Sequence, residues 1–174
     1  MKRKFSVIIF VLLSISTLLI YNIYAQGTGD LSIKKTPSNL TDRQKENRNN
    51  VMKKLNTAWV DIKKDLKNDN IDTSEYMQID LENLKLFSQG EGNISDKEKI
   101  NSILKYVIYP SLKETPDGSL EPLILVNKDG SKVLFCYKTQ EGSNVIKKFI
   151  FEDEKWASTS KETKGELPLE INIK

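Results

Sequence analysis

The sequence contains no histidine, and this absence excludes much of enzyme chemistry. Without an imidazole the chain cannot build a Ser-His-Asp or Cys-His nucleophile system, and it cannot hold zinc or haem through histidine. Its single cysteine, Cys136, cannot form a thiolate metal cage or an internal disulfide. The sequence therefore predicts no catalytic, metal-binding or cofactor-binding residue, and it favours a protein that is not an enzyme.

The chain also lacks the basic charge that nucleic-acid binding requires. Its 27 Lys and Arg residues exceed its 24 Asp and Glu residues by three, and Lys2, Arg3 and Lys4 account for that excess. The chain from residue 26 onward is neutral, with an acidic C-terminal half. Because affinity for nucleic acid rests on neutralising phosphates, we predict no nucleic-acid partner.

An uncharged apolar run, residues 5–20, follows those three basic residues. With the small residue Ala25 after it, this pattern predicts a secretory signal peptide over residues 1–25. The alternative is an uncleaved membrane anchor, since residues 5–21 approach the length that spans a bilayer. Both place the remaining chain outside the cytoplasm, either secreted or tethered to the membrane. No cysteine lies directly after the run to accept a lipid, which excludes a lipoprotein.

Two further features of the sequence concern the source of the protein and the state of its cysteine. The large excess of lysine over arginine is typical of AT-rich bacterial genomes, so we expect a bacterial source. Cys136 lies in the apolar run 133–137, which predicts a buried strand thiol rather than a reactive one.

The exported part is predicted to begin with a flexible linker over residues 26–40 and to continue as one domain over residues 41–174. Thr41 and Gln44 form a capping box that opens a helix ending near residue 68. The apolar side chains of this helix, which include Trp59 and Ile62, form one stripe that should pack against a sheet.

The middle of the domain is less regular. Residues 69–93 contain a regular element that the pattern assigns neither to helix nor to strand. A second capping box, Ser95 with Glu98, opens a helix over residues 95–109, and Pro110 should end or kink it.

The C-terminal third is predicted to be an antiparallel β-meander over residues 120–160, with a terminal strand over residues 167–173. The fold class is therefore α+β, with one or two amphipathic helices on one face of the meander. The middle strand of the meander, residues 133–137, is apolar at consecutive positions, which suggests that both of its faces are covered. A strongly curved sheet of this kind would be cone-shaped or cystatin-like, which is a similarity of element order only.

Four local patterns suggest chemistry, and each also has a structural interpretation. Ser102 and Lys105 match the Ser-x-x-Lys nucleophile motif, yet the helix phase places both on the solvent side. Asn68, Asn70 and Asp72 are spaced like a calcium loop that lacks its glycine and its final glutamate. The other two patterns are predicted to be a solvated hairpin tip and a pair of core anchors: Glu152–Glu154, and Trp59 with Trp156.

Three functions remain compatible with these observations. The first is an exported, non-catalytic module that binds a protein or small-molecule partner. The second is a small-ligand enzyme or sensor with a carboxylate, Lys and Tyr site in a cone-shaped pocket. The third is a structural protein of the cell envelope, which would carry an exposed apolar patch.

Overall fold

The structure, a computed structural model, describes residues 40–81 and 83–170. The predicted signal or anchor segment and residues 26–39 of the predicted linker lie outside these residues. Within the described part of the chain, no helix is both long and apolar enough to cross a membrane.

Helix α1 comprises Asp42–Asn68 and begins at the predicted capping box. The Thr41 hydroxyl accepts the Gln44 N–H, and the Gln44 side chain accepts the Thr41 N–H. The preceding Leu40 is only 8% exposed, so the last residue of the predicted linker belongs to the folded body.

The ambiguous stretch contains both kinds of element. Strand β1 spans Tyr76–Ile79, and the short helix α2 spans Leu84–Ser88. The alternating residues Met77 and Ile79 are both buried, as a strand requires.

The second long helix differs from its prediction at both ends. Its N-cap is Asp96 rather than Ser95, because the Asp96 carboxylate accepts the backbone N–H groups of Glu98 and Lys99. Pro110 does not end the helix. Helix α3, Lys97–Ile103, runs through a π-helical turn, Leu104–Ile108, into helix α4, Tyr109–Glu114.

The wide turn explains how the helix passes the proline. The Tyr109 N–H donates to the Leu104 carbonyl, five residues earlier, and Pro110 then occupies the start of α4. A proline has no N–H to donate there, and the π turn changes the register of the hydrogen bonds just before it.

The predicted α+β class is confirmed in its coarse form by a five-stranded antiparallel sheet with helices packed on it. Its strands are neighbours in chain order, from β1 to β5, as in a meander. The four strands after β1 are β2, Leu123–Asn127; β3, Lys132–Lys138; β4, Ser143–Glu152; and β5, Lys155–Lys164.

Helices cover both faces of the sheet rather than one. On one face α1 contributes Leu55, Trp59, Ile62 and Leu66 to a core that includes Leu134. On the other face the α3–α4 helix packs over a second core built on Ile124, Val126, Val133 and Phe135. Strands β2 and β3 are apolar at consecutive positions because both of their faces are buried.

The predicted terminal strand is wrong over residues 167–170, which form no strand. Leu167 is 75% exposed, so the alternating apolar residues do not enter the core. The chain leaves β5 and turns toward α1, where the Glu166 N–H donates to the Asp61 carboxylate instead of to a neighbouring strand. Residues 171–173 lie outside the described residues.

Candidate functional site

A buried ionic cluster joins α1 to the ends of β3 and β4. Lys138 is the last residue of β3, and its side chain is 2% exposed. Its Nζ donates to Asp61 Oδ2 at 2.7 Å, to the Glu166 carbonyl at 2.8 Å and to the Gly142 carbonyl at 3.2 Å. These three acceptors match the three N–H bonds of an ammonium group.

Asp61 is the centre of this cluster. Its Oδ2 also accepts the Asn144 side-chain amide at 3.0 Å and the Glu166 N–H at 3.0 Å. Burial alone would raise the pKa of Asp61. The hydrogen bonds from Lys138, Glu166 and Asn144 and the Lys138 charge outweigh burial, so the pKa lies below its ordinary value of 3.8.

A second carboxylate extends the cluster toward β5. The Asn144 amide donates to Asp65 at 2.9 Å, and the Thr163 hydroxyl donates to the same carboxylate. Gly165 packs directly against the cluster, so that a Cβ at this residue would lie 2.6 Å from Lys138 Nζ. These contacts hold α1, the sheet and the segment after β5 together, and we interpret the cluster as structural.

A second unusual carboxyl group lies before β2. The Glu121 side chain accepts the Leu81 N–H at 3.1 Å, and the Glu121 carbonyl accepts the Trp59 indole N–H at 3.1 Å. Burial, with a smaller contribution from the nearby Asp80 charge, raises the pKa of Glu121 to about 7.

A polar groove lies beyond the C-terminal end of α1. The helix ends at Asn68 and the chain reverses through Asn70, whose φ is 58°, so this end of the sheet face stays uncovered. We call the opening, about 480 Å³ in volume, the Tyr76 groove; its lining is Asn70, Ile71, Asp72, Glu75, Tyr76, Asn127, Lys128, Asp129, Lys132 and Lys148.

The charges of the Tyr76 groove are unevenly paired. Lys128 forms an ion pair with Glu75 at 3.0 Å. Lys132 and Lys148 form no ion pair with any residue that the structure describes. Burial and the Asp129 charge raise the pKa of Tyr76 above its ordinary value of 10.0.

A second groove, about 470 Å³, lies on the outer side of α1 between Asn49 and Val60. It is formed by residues of one helix only, and Val60 in it is 56% exposed.

The Ser-x-x-Lys motif does not form a catalytic pair. Ser102 is half-buried, and its hydroxyl accepts the Trp156 indole N–H at 3.0 Å, so its predicted position on the solvent side is wrong. Lys105 is exposed, as predicted, and lies 4.9 Å from the centre of the Tyr106 ring.

The residues of the calcium-like segment make other contacts instead. Asp69 forms an ion pair with Lys161 of β5, and the Asp72 carboxylate accepts the Ser74 N–H. At the hairpin tip, Asp153 and Glu154 adopt φ values of 50° and 61°, as a tight β-turn requires. Among the described residues, no group of three His, Cys, Asp or Glu side chains could hold a metal ion.

The predicted core residues are buried to different degrees. Trp59 is 7% exposed and Cys136 is fully buried, and burial raises the pKa of the Cys136 thiol. Trp156 is half-buried and packs at the margin of the core on the α3–α4 side.

The buried cluster and the Tyr76 groove could not be found by scanning for motifs. Asp61 and Lys138 are 77 positions apart, and the groove combines residues of four strands and of the segments before β1 and β3. No protein-family profile, curated protein or solved structure matches the chain significantly.

Proposed function

We propose that the protein is an exported, non-catalytic interaction module, either secreted or tethered to the membrane, and that it binds its partner through the Tyr76 groove. The observation that carries the proposal is the contrast between a filled interior and this open, charged groove. Lys132 and Lys148 lie at its surface without an ion-pair partner among the described residues.

These two lysines define the chemistry of the partner. An acidic group, such as a carboxylate on a protein or a small molecule, would pair with their ammonium groups. Tyr76 adds a hydroxyl donor and an aromatic face to the same groove. The nearby Asp72 and Asp129 would disfavour a partner with several negative charges at close spacing.

The alternative, a small-ligand enzyme or sensor, has less support. It requires a cone-shaped or cystatin-like arrangement with a cavity between α1 and a curved sheet. Leu55, Trp59, Ile62 and Leu66 fill that space against the sheet. Among the described residues, Glu121 is the carboxyl whose pKa burial raises toward neutrality, and it is held by the Leu81 backbone N–H.

The third candidate, a structural envelope protein, would need a broad apolar surface. The described residues expose Tyr106 and Tyr109 next to each other on the α3–α4 helix, at 55% and 54%. Two tyrosines form a small amphipathic patch, which gives this candidate weak support.

Export is tested separately from binding. We expect a reporter fused after Lys174 to be active outside the cytoplasm and inactive inside it, because the uncharged run 5–20 follows three basic residues. A mature chain that begins at Gln26 would indicate a cleaved signal, and an intact N-terminus would indicate an anchor. A reporter that is active only in the cytoplasm would contradict the proposal.

Binding is tested by proximity labelling in the cells that make the protein. The variant Lys132→Glu/Lys148→Glu reverses the groove charges, and Lys53→Glu/Lys113→Glu makes the same charge change at two exposed helix positions elsewhere. We expect the groove variant to lose most of the labelled partners, by about tenfold or more, while the control keeps them. Equal labelling by both variants, with unchanged melting curves, would exclude the groove as the binding site.

A further inference from the structure

Strand β5 forms a long open edge of the sheet. It spans ten residues, Lys155–Lys164, contains no proline, and pairs with β4 on one side only. No residue that the structure describes pairs with its outer side. The opposite edge strand, β1, has only four residues. Because an open edge presents unpaired backbone N–H and C=O groups, β5 is a template for another strand.

The pairing with β4 determines which of its backbone groups point outward. The hairpin has a two-residue turn, Asp153–Glu154, and Glu152 faces Lys155 in the first pair of the ladder. In such a hairpin this first pair is hydrogen-bonded, and hydrogen-bonded and non-hydrogen-bonded pairs then alternate. The residues whose N–H and C=O groups face away from β4 are therefore Trp156, Ser158, Ser160, Glu162 and Lys164.

The opposite strand supports this alternation. Phe151 faces Trp156 in a non-hydrogen-bonded position of the β4–β5 ladder. Its N–H points away from β5 and donates to the Ser131 carbonyl at 2.8 Å.

We propose that β5 pairs antiparallel with β5 of a second copy of this chain, with Thr159 of both copies on the twofold axis. A symmetric antiparallel pair must place outward-facing residues opposite outward-facing residues. In this register Trp156 faces Glu162 of the second copy, and Ser158 faces Ser160. The two sheets then continue as one sheet.

Charge disfavours the neighbouring register with its axis at Ser158, which would oppose Lys155 to Lys161 twice. With Thr159 on the axis, no two like charges of β5 are opposed, and Lys164 of the second copy lies beside the turn that holds Glu154. Like charges directly opposite each other destabilise a strand pair.

The lysines of β5 would protect the edge from most partners, since charged side chains, lysine above all, commonly prevent edge pairing. In the proposed register Lys155 faces Thr163 and Lys161 faces Ala157, so no lysine opposes another. The lysines of β5 therefore do not oppose pairing with a second copy in this register. This proposal uses a backbone edge rather than the Tyr76 groove, and it goes beyond the proposed binding function.

Cysteine cross-linking of the full chain tests the register. Thr159 would form a non-hydrogen-bonded pair with its own copy, with Cα atoms about 4.5 Å apart, within the range of a disulfide. We expect Thr159→Cys to form a disulfide-linked dimer under mild oxidation, at least about tenfold faster than Ser158→Cys. Ser158→Cys should cross-link slowly because Ser158 faces Ser160 of the second copy, so that the two introduced cysteines are not opposite each other. The native Cys136 is fully buried and does not compete.

A mixture of Ser158→Cys and Ser160→Cys chains should form mixed disulfides, because these two positions face each other. Equal cross-linking rates for Thr159→Cys and Ser158→Cys would overturn the register. A wild-type chain that stays monomeric at about 100 μM in analytical ultracentrifugation, as it would if another part of this chain covered β5, would overturn the proposal.

Two further variants separate pairing from folding. Ser160→Pro removes one outward N–H without touching the β4 ladder, and we expect the dimer to dissociate while the monomer stays folded. Ser158→Lys/Ser160→Lys should weaken the dimer at least about tenfold, because the two lysines face each other across the axis, whereas Ser158→Lys/Ser160→Glu should keep it. A dimer that survives Ser160→Pro, or equal dissociation of the two double variants, would contradict pairing through β5.

Discussion

At the scale of single residues, the most constrained position is Gly165. A Cβ at this residue would lie 2.6 Å from Asp61 Oδ2, 2.6 Å from Lys138 Nζ and 2.7 Å from Asn144 Nδ2. No real Cβ tolerates such distances, and three buried polar groups cannot move without losing hydrogen bonds. The glycine is therefore required by space in the cluster rather than by backbone flexibility.

We predict that Gly165→Ala lowers the free energy of unfolding by about 1–3 kcal/mol, the usual cost of forcing extra atoms into a packed site. Urea denaturation measures it. Ser158→Ala, at an exposed position of β5, should stay within about 0.5 kcal/mol. An alanine at residue 165 that costs no more than this control would show that the cluster is looser than its distances indicate.

Glu121 gives a prediction about pH, since its carboxyl group destabilises the folded state when it is ionised. Its pKa rises from 4.5 in the unfolded chain to about 7 in the folded one, so the folded state binds more protons between these values. Stability should then fall as pH rises from 4.5 to about 7, by up to about 3 kcal/mol.

The variant Glu121→Gln tests this effect because the amide keeps an oxygen for the Leu81 N–H but cannot ionise. We expect the variant to be more stable than the wild type at pH 8 and nearly equal to it at pH 4. Denaturation curves across this range measure the difference. A wild type and variant with parallel pH profiles would contradict the raised pKa.

At the scale of elements, local chemistry explains which predictions succeed. The capping box at Thr41 is a contact within one turn, so the sequence alone reveals where α1 begins. The predicted N-cap of the second helix, Ser95, is one residue too early, because the Asp96 carboxylate accepts the backbone N–H groups of Glu98 and Lys99. Its continuation past Pro110 depends on a π turn, which leaves no periodic signal in the sequence.

Ser102 shows how tertiary contact changes the meaning of a surface position. Its hydroxyl is the acceptor for the Trp156 indole, which links α3 to the β4–β5 hairpin. We predict that Ser102→Ala costs about 1 kcal/mol because it removes this partner from a half-buried N–H. Lys105→Ala, on the exposed side, should change stability by less than about 0.5 kcal/mol.

Trp59→Ala should give a large loss of stability with which the losses of the Ser102 and Lys105 variants can be compared. This substitution removes a buried ring from the α1 core and the bond to the Glu121 carbonyl, and we expect a loss of about 3–5 kcal/mol. Thermal and urea denaturation of the three variants should order them as Trp59, then Ser102, then Lys105. Any other order would contradict the packing of these helices.

At the scale of the whole molecule, the sequence predicts the layers better than the contacts between them. The consecutive apolar residues of β3 indicate burial on both faces, and the structure has helices on both. The ionic cluster could not be predicted, because Asp61, Lys138 and Glu166 have ordinary neighbours along the chain. The alternating residues 167–173 predicted a strand, yet Glu166 is held at α1 and directs the chain away from the sheet edge.

Two truncations separate the role of Glu166 from that of the segment after it. A chain that ends at Pro168 keeps both bonds of Glu166, whereas a chain that ends at Lys164 loses the acceptor for Lys138 and the donor to Asp61. We expect the shorter chain to melt roughly 4–12 °C lower, which corresponds to about 1–3 kcal/mol for bonds to buried charged groups. The chain that ends at Pro168 should melt within about 2 °C of the full chain.

The stability of the two truncated chains at acid pH tests whether Glu166 acts through the Asp61 carboxylate. Because the folded pKa of Asp61 lies below 3.8, its contribution to stability is fully present above that pH and is lost as the pH falls through the folded value. Removing Glu166 takes away a hydrogen bond that holds this pKa down. The stability gap between the two truncated chains should therefore be widest near neutral pH and should narrow as the pH falls through the folded pKa of Asp61. A gap that stays constant into acid would mean that residues 165–166 act through packing alone.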